Sequence, residues 1–167
     1  MTFGLLGRNI SYSFSRNYFT QKFKALGLTH CSYEVFDIPD KEKIPELFEN
    51  PDLKGFNITI PYKQDIIEFL DELSPEAAKI GAVNTVKIFR RKRKGFNTDA
   101  IGFKESLLPL LEPHHTSALV LGSGGASKAV TYVLDQLNIP YVGISRSGES
   151  NYASLTPEVV SSHLLLI

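Results

Sequence analysis

Residues 55–60 alternate apolar and polar side chains, which is the period of a strand with one buried face. The apolar positions are Phe56, Ile58 and Ile60. Asn57 and Thr59 share the opposite face, and Pro61 ends the strand because it has no N–H to donate. Lys63 follows at the turn into a predicted helix. Open α/β sheets place ligands at the carboxyl ends of strands, so these polar groups form a candidate site. A strand and turn with merely solvated polar groups is the alternative.

Similar patterns predict the other elements of the first 113 residues. We expect strands at residues 3–7, 31–38, 85–89 and 95–96, and helices from Ser15 to Gly27 and at residues 41–49, 62–70 and 100–111, with a short helix starting at Ser74-Pro75. Ser15 is the expected N-cap of its helix. Ser13 and Ser15 belong to a serine-rich loop, and such clusters usually serve turn chemistry, with a hydroxyl-lined pocket as the alternative.

Two more polar residues stand where predicted elements begin. Asn84 heads the strand at residues 85–89, after small residues that allow close backbone approach. Asp99 precedes the helix at residues 100–111, where an N-cap is the commonest role of aspartate. A carboxylate near a lysine is also what a proton-transfer pair needs.

From Ser117 onward the pattern changes to that of a nucleotide-binding βαβ unit. A continuous apolar run at residues 118–121 is typical of a parallel strand that is buried on both faces. An amphipathic helix and a second apolar strand, at residues 141–144, follow the intervening glycine-rich turn. The turn consists of Gly122, Ser123, Gly124, Gly125, Ala126 and Ser127. Such a turn lets backbone amides approach a pyrophosphate at the helix N-terminus.

The residues after the second apolar strand help to choose the dinucleotide. NAD-binding folds place an acidic residue about 20 residues after the glycines, whereas this chain has Ser145, Arg146 and Ser147 there. A cation and two hydroxyls suit a 2′-phosphate, so the sequence favours NADP. Glu149 lies slightly further along and leaves NAD as the alternative.

These patterns predict an α/β protein with two domains. We expect residues 1–113 to form an α/β substrate-binding and catalytic domain, and residues 114–167 to form the N-terminal part of a Rossmann-like domain with a parallel sheet. After a helix at residues 154–162 and a strand at residues 163–167, a doubly wound domain still needs several strand–helix units. We therefore expect the sequence either to be part of a longer protein or to be truncated.

Composition narrows the range of functions. The chain has 167 residues, a formal net charge of zero and one cysteine, Cys31, which takes part in no metal-ligand spacing. We expect a soluble cytoplasmic protein without a signal peptide, a membrane span or a metal. The five consecutive cations at residues 90–94 are expected at a solvated hairpin tip rather than in a nucleic-acid site, because no aromatic residues interleave with them.

Taken together, the motifs resemble those of the shikimate dehydrogenase family over essentially the whole chain. The matching segments are the serine loop 13–15 (S-F-S), residues 57–63 (N-I-T-I-P-Y-K), residues 81–85 (G-A-V-N-T), residues 97–99 (N-T-D), the glycine turn 122–127 (G-S-G-G-A-S) and residues 145–147 (S-R-S). Each motif is weak alone, and their common order is highly specific. The first loop departs from the family pattern, since Asn9, Tyr12 and Arg16 replace proline, histidine and proline.

The resemblance implies the reversible, NADPH-dependent reduction of 3-dehydroshikimate to shikimate in aromatic amino-acid biosynthesis. It implies that Lys63 is the general acid–base and that Asp99 orients both Lys63 and the substrate. The substrate-binding residues that it implies are Ser13 and Ser15, for the carboxylate, and Asn57, Thr59 and Asn84, for the ring hydroxyls. The glycine turn and residues 145–147 are implied to bind NADP. No metal is expected, and the sequence leaves the choice between a monomer and a homodimer open.

Three alternatives accompany this interpretation. A relative could act on quinate, or on both acids, with NAD. A chain that truly ends at Ile167 could be a non-catalytic substrate-binding module. An RNA-binding role for residues 90–94 is remote, and it would show salt-dependent affinity.

Overall fold

A six-stranded mixed sheet organises the first of two compact units, Met1–Asn97. The computed structural model describes residues 1–146 and 150–167. The strands are β1 (Thr2–Gly7), β2 (Ser32–Asp37), β3 (Leu53–Ile58), β4 (Glu72–Leu73), β5 (Thr85–Phe89) and β6 (Lys92–Phe96). They lie in the order β2-β1-β3-β5-β6-β4. β1 pairs in parallel with β2 and β3, and β5 runs antiparallel to β3.

Helices and turns cover the two faces of this sheet. The helices are α1 (Ser15–Ala25), α2 (Ile44–Leu47) and α3 (Pro75–Ile80), with 3₁₀ helices at Lys41–Lys43 and Asp65–Phe69. Consecutive residues of β1 point to opposite faces, so Leu5 packs with Tyr33 and with Phe19 of α1. Leu6 packs instead in the larger core on the other face, together with Phe56.

The predicted strand at residues 55–60 exists, but with different bounds. β3 ends at Ile58, and Ile60 is 66% exposed rather than buried. The chain leaves the sheet after Thr59, whose N–H still donates to the Leu6 carbonyl at 2.8 Å. The helix predicted over 62–70 is wrong in type, since only a 3₁₀ helix at Asp65–Phe69 forms.

The predicted N-caps have different outcomes. Ser74 is confirmed, because its side chain accepts a hydrogen bond from the Ala77 N–H and Pro75 follows it. The prediction for Ser15 is wrong, since α1 already includes Ser15 and Phe14 holds the N-cap position. Ser13 makes the side-chain turn in its place and accepts a hydrogen bond from the Ser15 N–H at 3.2 Å.

The basic run is only partly a hairpin tip. Arg90 and Arg91 form the turn, with φ angles of 50° and 65°. Lys92, Arg93 and Lys94 belong to β6, because residues 71 and 72 supply acidic partners beside that strand. Arg93 Nη2 lies 2.8 Å from the Asp71 Oδ1.

The second unit, Thr98–Ile167, contains a three-stranded parallel sheet. Its elements are α4 (Asp99–Leu107), a 3₁₀ helix (Leu108–Leu110), β7 (Ala118–Leu121), α5 (Gly125–Gln136), β8 (Tyr141–Ile144), a 3₁₀ helix (Tyr152–Ser154), α6 (Pro157–Ser161) and β9 (Leu165–Leu166). β7 lies in the middle, between β8 and β9. The βαβ unit is thus confirmed, although the helix predicted over 154–162 is split and shorter.

The two units together confirm the α/β class and the Rossmann-like start. α4 belongs to the second unit, where Phe103 and Leu107 pack in one core with Leu134 of α5. The boundary between substrate-binding and cofactor-binding domains near residue 113 stays a prediction, since it concerns which segment binds which ligand.

Candidate active site

Three chain segments meet at one edge of the six-stranded sheet. β1 and β3 are parallel and end there, while β5 is antiparallel and begins there. The Ile58 N–H donates to the Asn84 carbonyl at 2.8 Å, and the Arg8 N–H donates to the Ile60 carbonyl at 3.2 Å. The main chain therefore brings the loop after β1, the turn after β3 and Asn84 to the same edge.

The predicted amides Asn57 and Asn84 are joined through a hydroxyl. Asn57 Nδ2 lies 3.2 Å from Thr85 Oγ1, and Thr85 Oγ1 lies 3.1 Å from Asn84 Oδ1. On its other side, Asn57 Oδ1 accepts a hydrogen bond from Tyr33 Oη at 3.0 Å. Two of the five predicted substrate-binding residues thus belong to one network.

Tyr33 and Thr85 are parts of the site that sequence reasoning missed. Thr85 lies within the 81–85 motif, so its place in that motif was a usable signal. Tyr33 comes from β2, and its contact with Asn57 depends on strand order, so no local pattern could have found it.

The serine loop reaches this network through Ser15. Burial raises the pKa of Tyr33 to about 12, and a hydrogen bond with the Ser15 side chain partly opposes that rise. Ser13 and Ser15 are both half-buried, and their own hydrogen bond closes the turn that opens α1. Ser15 therefore lies close enough to Tyr33 to influence its hydroxyl.

An aspartate at the end of β2 anchors the start of the same loop. Asp37 Oδ1 accepts a hydrogen bond from the Asn9 N–H at 2.8 Å, and Oδ2 accepts one from the Ile10 N–H at 3.1 Å. Asn9 has a φ of 57°, which proline cannot adopt, and proline also lacks the N–H. The presence of asparagine instead of the family's proline therefore has a structural basis, because the Asn9 N–H helps to bind the loop to the Asp37 carboxylate.

Thr59 approaches β1 closely because residue 7 is glycine. A Cβ at Gly7 would lie 2.7 Å from Thr59 Cγ2 and 2.8 Å from Ile10 Cγ2. Any side chain at Gly7 would push the Thr59 segment away from the loop after β1. Glycine at this position thus keeps the turn after β3 close to that loop.

Lys63 lies in the turn between β3 and the 3₁₀ helix, and it is half-buried. Its carbonyl accepts a hydrogen bond from the Val83 N–H at 2.7 Å, which holds it beside the segment that carries Asn84. The preceding Tyr62 is 2% exposed, and its Oη donates to the Ile38 carbonyl at 2.7 Å. The backbone that carries the lysine is thus fixed on both sides.

Asp99 lies in the second unit, as the first residue of α4. The interpretation of Asp99 as an N-cap is wrong, because Thr98 holds that position and makes no capping hydrogen bond through its side chain. An acidic side chain in the first turn still interacts favourably with the helix dipole. Its pairing with Lys63 stays a prediction.

The glycine turn of the second unit has the geometry of an anion cradle. Gly122 has a φ of 134°, which residues with side chains rarely adopt. A Cβ at Gly124 would meet nothing within 4 Å, so a ligand can approach the backbone there. The first amides of α5 have no intrahelical acceptor, and its first turn carries no acidic residue. The turn therefore suits a pyrophosphate.

The residues that were predicted to select NADP follow β8. Ser145 is half-buried, and Arg146 is exposed at the end of this strand. Ser147 and Glu149 lie outside the described residues, so the choice between a phosphate and a hydroxyl ligand there stays a prediction.

The described part of the chain contains neither a candidate metal site nor a membrane-spanning helix. Within residues 1–146 and 150–167, no group of three or more His, Cys, Asp or Glu side chains is placed to hold a metal ion. In the same residues, no helix combines the length and the apolar character that a bilayer crossing requires.

Comparison with known proteins identifies the family. The family model of the shikimate dehydrogenase substrate binding domain matches residues 5–86. The NADP-dependent shikimate dehydrogenase of Chlorobaculum tepidum is 43% identical over 131 residues, which cover 76% of this chain and 44% of that protein. The chain belongs to the shikimate dehydrogenase family. It spans about half the length of the curated relatives it matches.

Solved structures of this family agree with the fold. The shikimate dehydrogenase of Thermus thermophilus, in complex with NADP(H) and shikimate, matches with a TM-score of 0.77 at 38% identity. The matched region covers 88% of this chain and 56% of the Thermus chain. The shikimate dehydrogenase of Thermotoga maritima matches with a TM-score of 0.85 at 31% identity, and the matched region covers 99% of this chain and 67% of the Thermotoga chain.

Proposed function

We propose that the natural protein catalyses the NADP-dependent, reversible reduction of 3-dehydroshikimate to shikimate. The observation that carries this proposal is the edge of the first unit, where Thr85 links Asn57 to Asn84. The main chain of the half-buried Lys63 is hydrogen-bonded to Val83, the neighbour of Asn84. Such an edge can bind a small polyol, because it offers several directed hydrogen bonds. Family membership and the Thermus relative, which binds shikimate, support the same substrate.

Lys63 is the proposed general acid and base. In the direction of reduction, its ammonium gives a proton to the oxygen that was the substrate carbonyl, and in the direction of oxidation its amine takes that proton back. The proposed partner in this role is Asp99, which would orient both Lys63 and a substrate hydroxyl. Neither residue needs a metal for this step.

The other predicted residues hold the substrate. Ser13 and Ser15 would bind the carboxylate through charge-assisted hydrogen bonds, which are about twice as strong as neutral ones. Asn57, Thr59 and Asn84 would bind the ring hydroxyls. Their fixed orientation lowers the entropy that binding must overcome.

NADP is the proposed cofactor, and it supplies the hydride when bound. The backbone of residues 122–127 fits its pyrophosphate, because this turn combines a left-handed glycine, an open approach at Gly124 and a helix N-terminus. We assign the adenosine 2′-phosphate to Arg146, with Ser145 and Ser147 beside it. We place the reaction in the cytoplasm, where a lone cysteine stays reduced, and the active form is a monomer or a homodimer.

The test is a rate comparison with two acids and two cofactors. The purified natural protein should oxidise shikimate with NADP faster than quinate with either cofactor. Faster oxidation of quinate with NAD would replace this proposal by the quinate dehydrogenase alternative. Shikimate binding without any turnover would support a substrate-binding module instead.

A further inference from the structure

The hydrogen bonds around Asn57 form a chain with one direction. An amide nitrogen can only donate and an amide oxygen can only accept. Asn57 Nδ2 therefore donates to Thr85 Oγ1, at 3.2 Å. The single hydrogen of Thr85 then goes to Asn84 Oδ1, at 3.1 Å. The direction at each step is set by the chemistry of the two amides.

The same reasoning extends this series of hydrogen bonds to Tyr33 of β2. Tyr33 uses its single hydrogen on Asn57 Oδ1, at 3.0 Å. One series of hydroxyls and amides thus runs from β2 through β3 to β5.

Tyr33 is held firmly at the start of this series. It is 4% exposed, and its ring stacks on Phe19 of α1 with centroids 4.4 Å apart and planes 13° apart. Burial raises its pKa to about 12, so the hydroxyl keeps its hydrogen at physiological pH. Packing therefore fixes the position of Tyr33, and its hydroxyl remains a hydrogen-bond donor.

We propose that Tyr33 is a positioning residue of the substrate site, which fixes the amide of Asn57 and, through Thr85, that of Asn84. This inference rests on the proposed function, since it assigns the partner of two proposed substrate-binding residues. With both amide oxygens engaged by hydroxyls, the amides turn their N–H groups toward other partners. The two asparagines thus donate hydrogen bonds to substrate oxygens. The orientation of their amides is imposed by Tyr33 of β2, a strand that carries none of the family motifs.

The first experiment compares substrate binding by tyrosine variants of the natural protein. Tyr33→Phe keeps the ring that stacks on Phe19 and removes only the hydroxyl. We expect the affinity for shikimate to fall roughly five- to tenfold, as for the loss of one orienting hydrogen bond. Tyr141→Phe is the control, because it also removes the hydroxyl of a half-buried tyrosine, one that lies on β8 of the second unit. Equal affinity of Tyr33→Phe and the unsubstituted protein would overturn the proposal.

A double-mutant cycle separates positioning from general destabilisation. If Tyr33 acts through Asn57, Tyr33→Phe should have no further effect on shikimate affinity in an Asn57→Ala background. Additive losses would show that Tyr33 acts by another route and would overturn the proposal. Thr85→Val is a second variant of similar shape, which breaks the series at its other end and should also lower shikimate affinity.

A ligand-free measurement keeps this inference distinct from the proposed function. In ¹⁵N-labelled protein without substrate, Tyr33→Phe should shift the side-chain amide resonances of Asn57 and of Asn84, whereas Tyr141→Phe should leave both in place. Unchanged resonances in Tyr33→Phe would overturn the series itself. Shifted resonances in a protein that binds no shikimate would support the series and contradict the proposed function alone.

Discussion

The two units build their candidate sites from different parts of the chain. In the first unit the site consists of side chains, namely a lysine, hydroxyls and amides that orient one another at the edge of a sheet. In the second unit it consists mainly of the main chain, where a glycine turn and the first amides of α5 face outward. The proposed ligands differ in the same way, since the substrate carries hydroxyls at fixed positions and a pyrophosphate carries diffuse charge.

This difference predicts opposite sensitivities to substitution. Removal of a side-chain functional group should damage the first site, because each group has a directed partner. Addition of a Cβ should damage the second site, because its backbone conformation excludes most side chains. The following variants test this contrast, from the largest expected effect to the smallest.

Lys63→Ala should give the largest loss. Without the proposed proton donor, turnover should fall by roughly 10²- to 10⁴-fold, while shikimate affinity falls only modestly. Steady-state kinetics of shikimate oxidation check this expectation. Lys79→Ala, at an exposed position of α3, is the matched control. Near-normal turnover of Lys63→Ala would refute the assigned role.

Gly122→Ala tests the site made from main chain. A side chain is strained at a φ of 134°, and the new Cβ would lie 3.0 Å from Ser127 Oγ. Strain of about 1–3 kcal/mol should lower NADP affinity by roughly five- to 150-fold and leave shikimate affinity unchanged. Gly102→Ala in α4 is the control, since its Cβ would meet nothing within 4 Å. The contrast fails if Gly122→Ala binds NADP normally.

Asp37→Asn tests whether the serine loop depends on the two hydrogen bonds that the Asp37 carboxylate accepts. One amide oxygen cannot replace two carboxylate oxygens that accept from Asn9 and Ile10. We expect the shikimate KM to rise by roughly three- to tenfold, with kcat little changed. Asp40→Asn, three positions further along at an exposed site, is the control. An unchanged KM would show that the loop holds its conformation without Asp37.

Asp71→Asn should affect pH-dependent stability but not ligand affinity. Hydrogen bonds from Arg93 hold the pKa of the Asp71 carboxyl well below its ordinary value of 3.8. The pair therefore stabilises the protein above that pH, and the stabilisation is lost as pH falls toward the lowered pKa. Urea unfolding should show a small deficit for Asp71→Asn at neutral pH, which disappears in acid. A deficit of constant size from neutral pH to acid would exclude this ion pair as its cause.

Local sequence predicted most elements and the residue types of both sites. The alternation around Asn57 and the glycine turn both depend on short-range patterns, and such patterns are visible in a single chain. The contacts that orient Asn57 were not predictable, because Tyr33 is 24 residues away in sequence and on a strand that is not adjacent to β3. Asp37 was missed because its partners are also distant in sequence, since Asn9 is 28 residues away and Ile10 is 27 residues away.

The errors at element ends have local causes. Ile60 was predicted to be buried. The chain leaves the sheet after Thr59, so the alternation of buried and exposed positions no longer applies to Ile60. Ser15 was given a role that its neighbour Ser13 performs, because two hydroxyls competed for one turn. The basic run at residues 90–94 was predicted to be a hairpin tip, whereas Lys92, Arg93 and Lys94 lie in β6. These three residues form ion pairs with Asp71 and Glu72.

The most direct test of the contrast between the sites is a crossed binding measurement on the natural protein. Calorimetric titrations with shikimate and with NADP would compare the unsubstituted protein, Asn57→Ala and Gly122→Ala. Each variant should lose affinity for one ligand only, Asn57→Ala for shikimate and Gly122→Ala for NADP. Loss of NADP affinity in Asn57→Ala, or of shikimate affinity in Gly122→Ala, would contradict the assignment of one ligand to each unit.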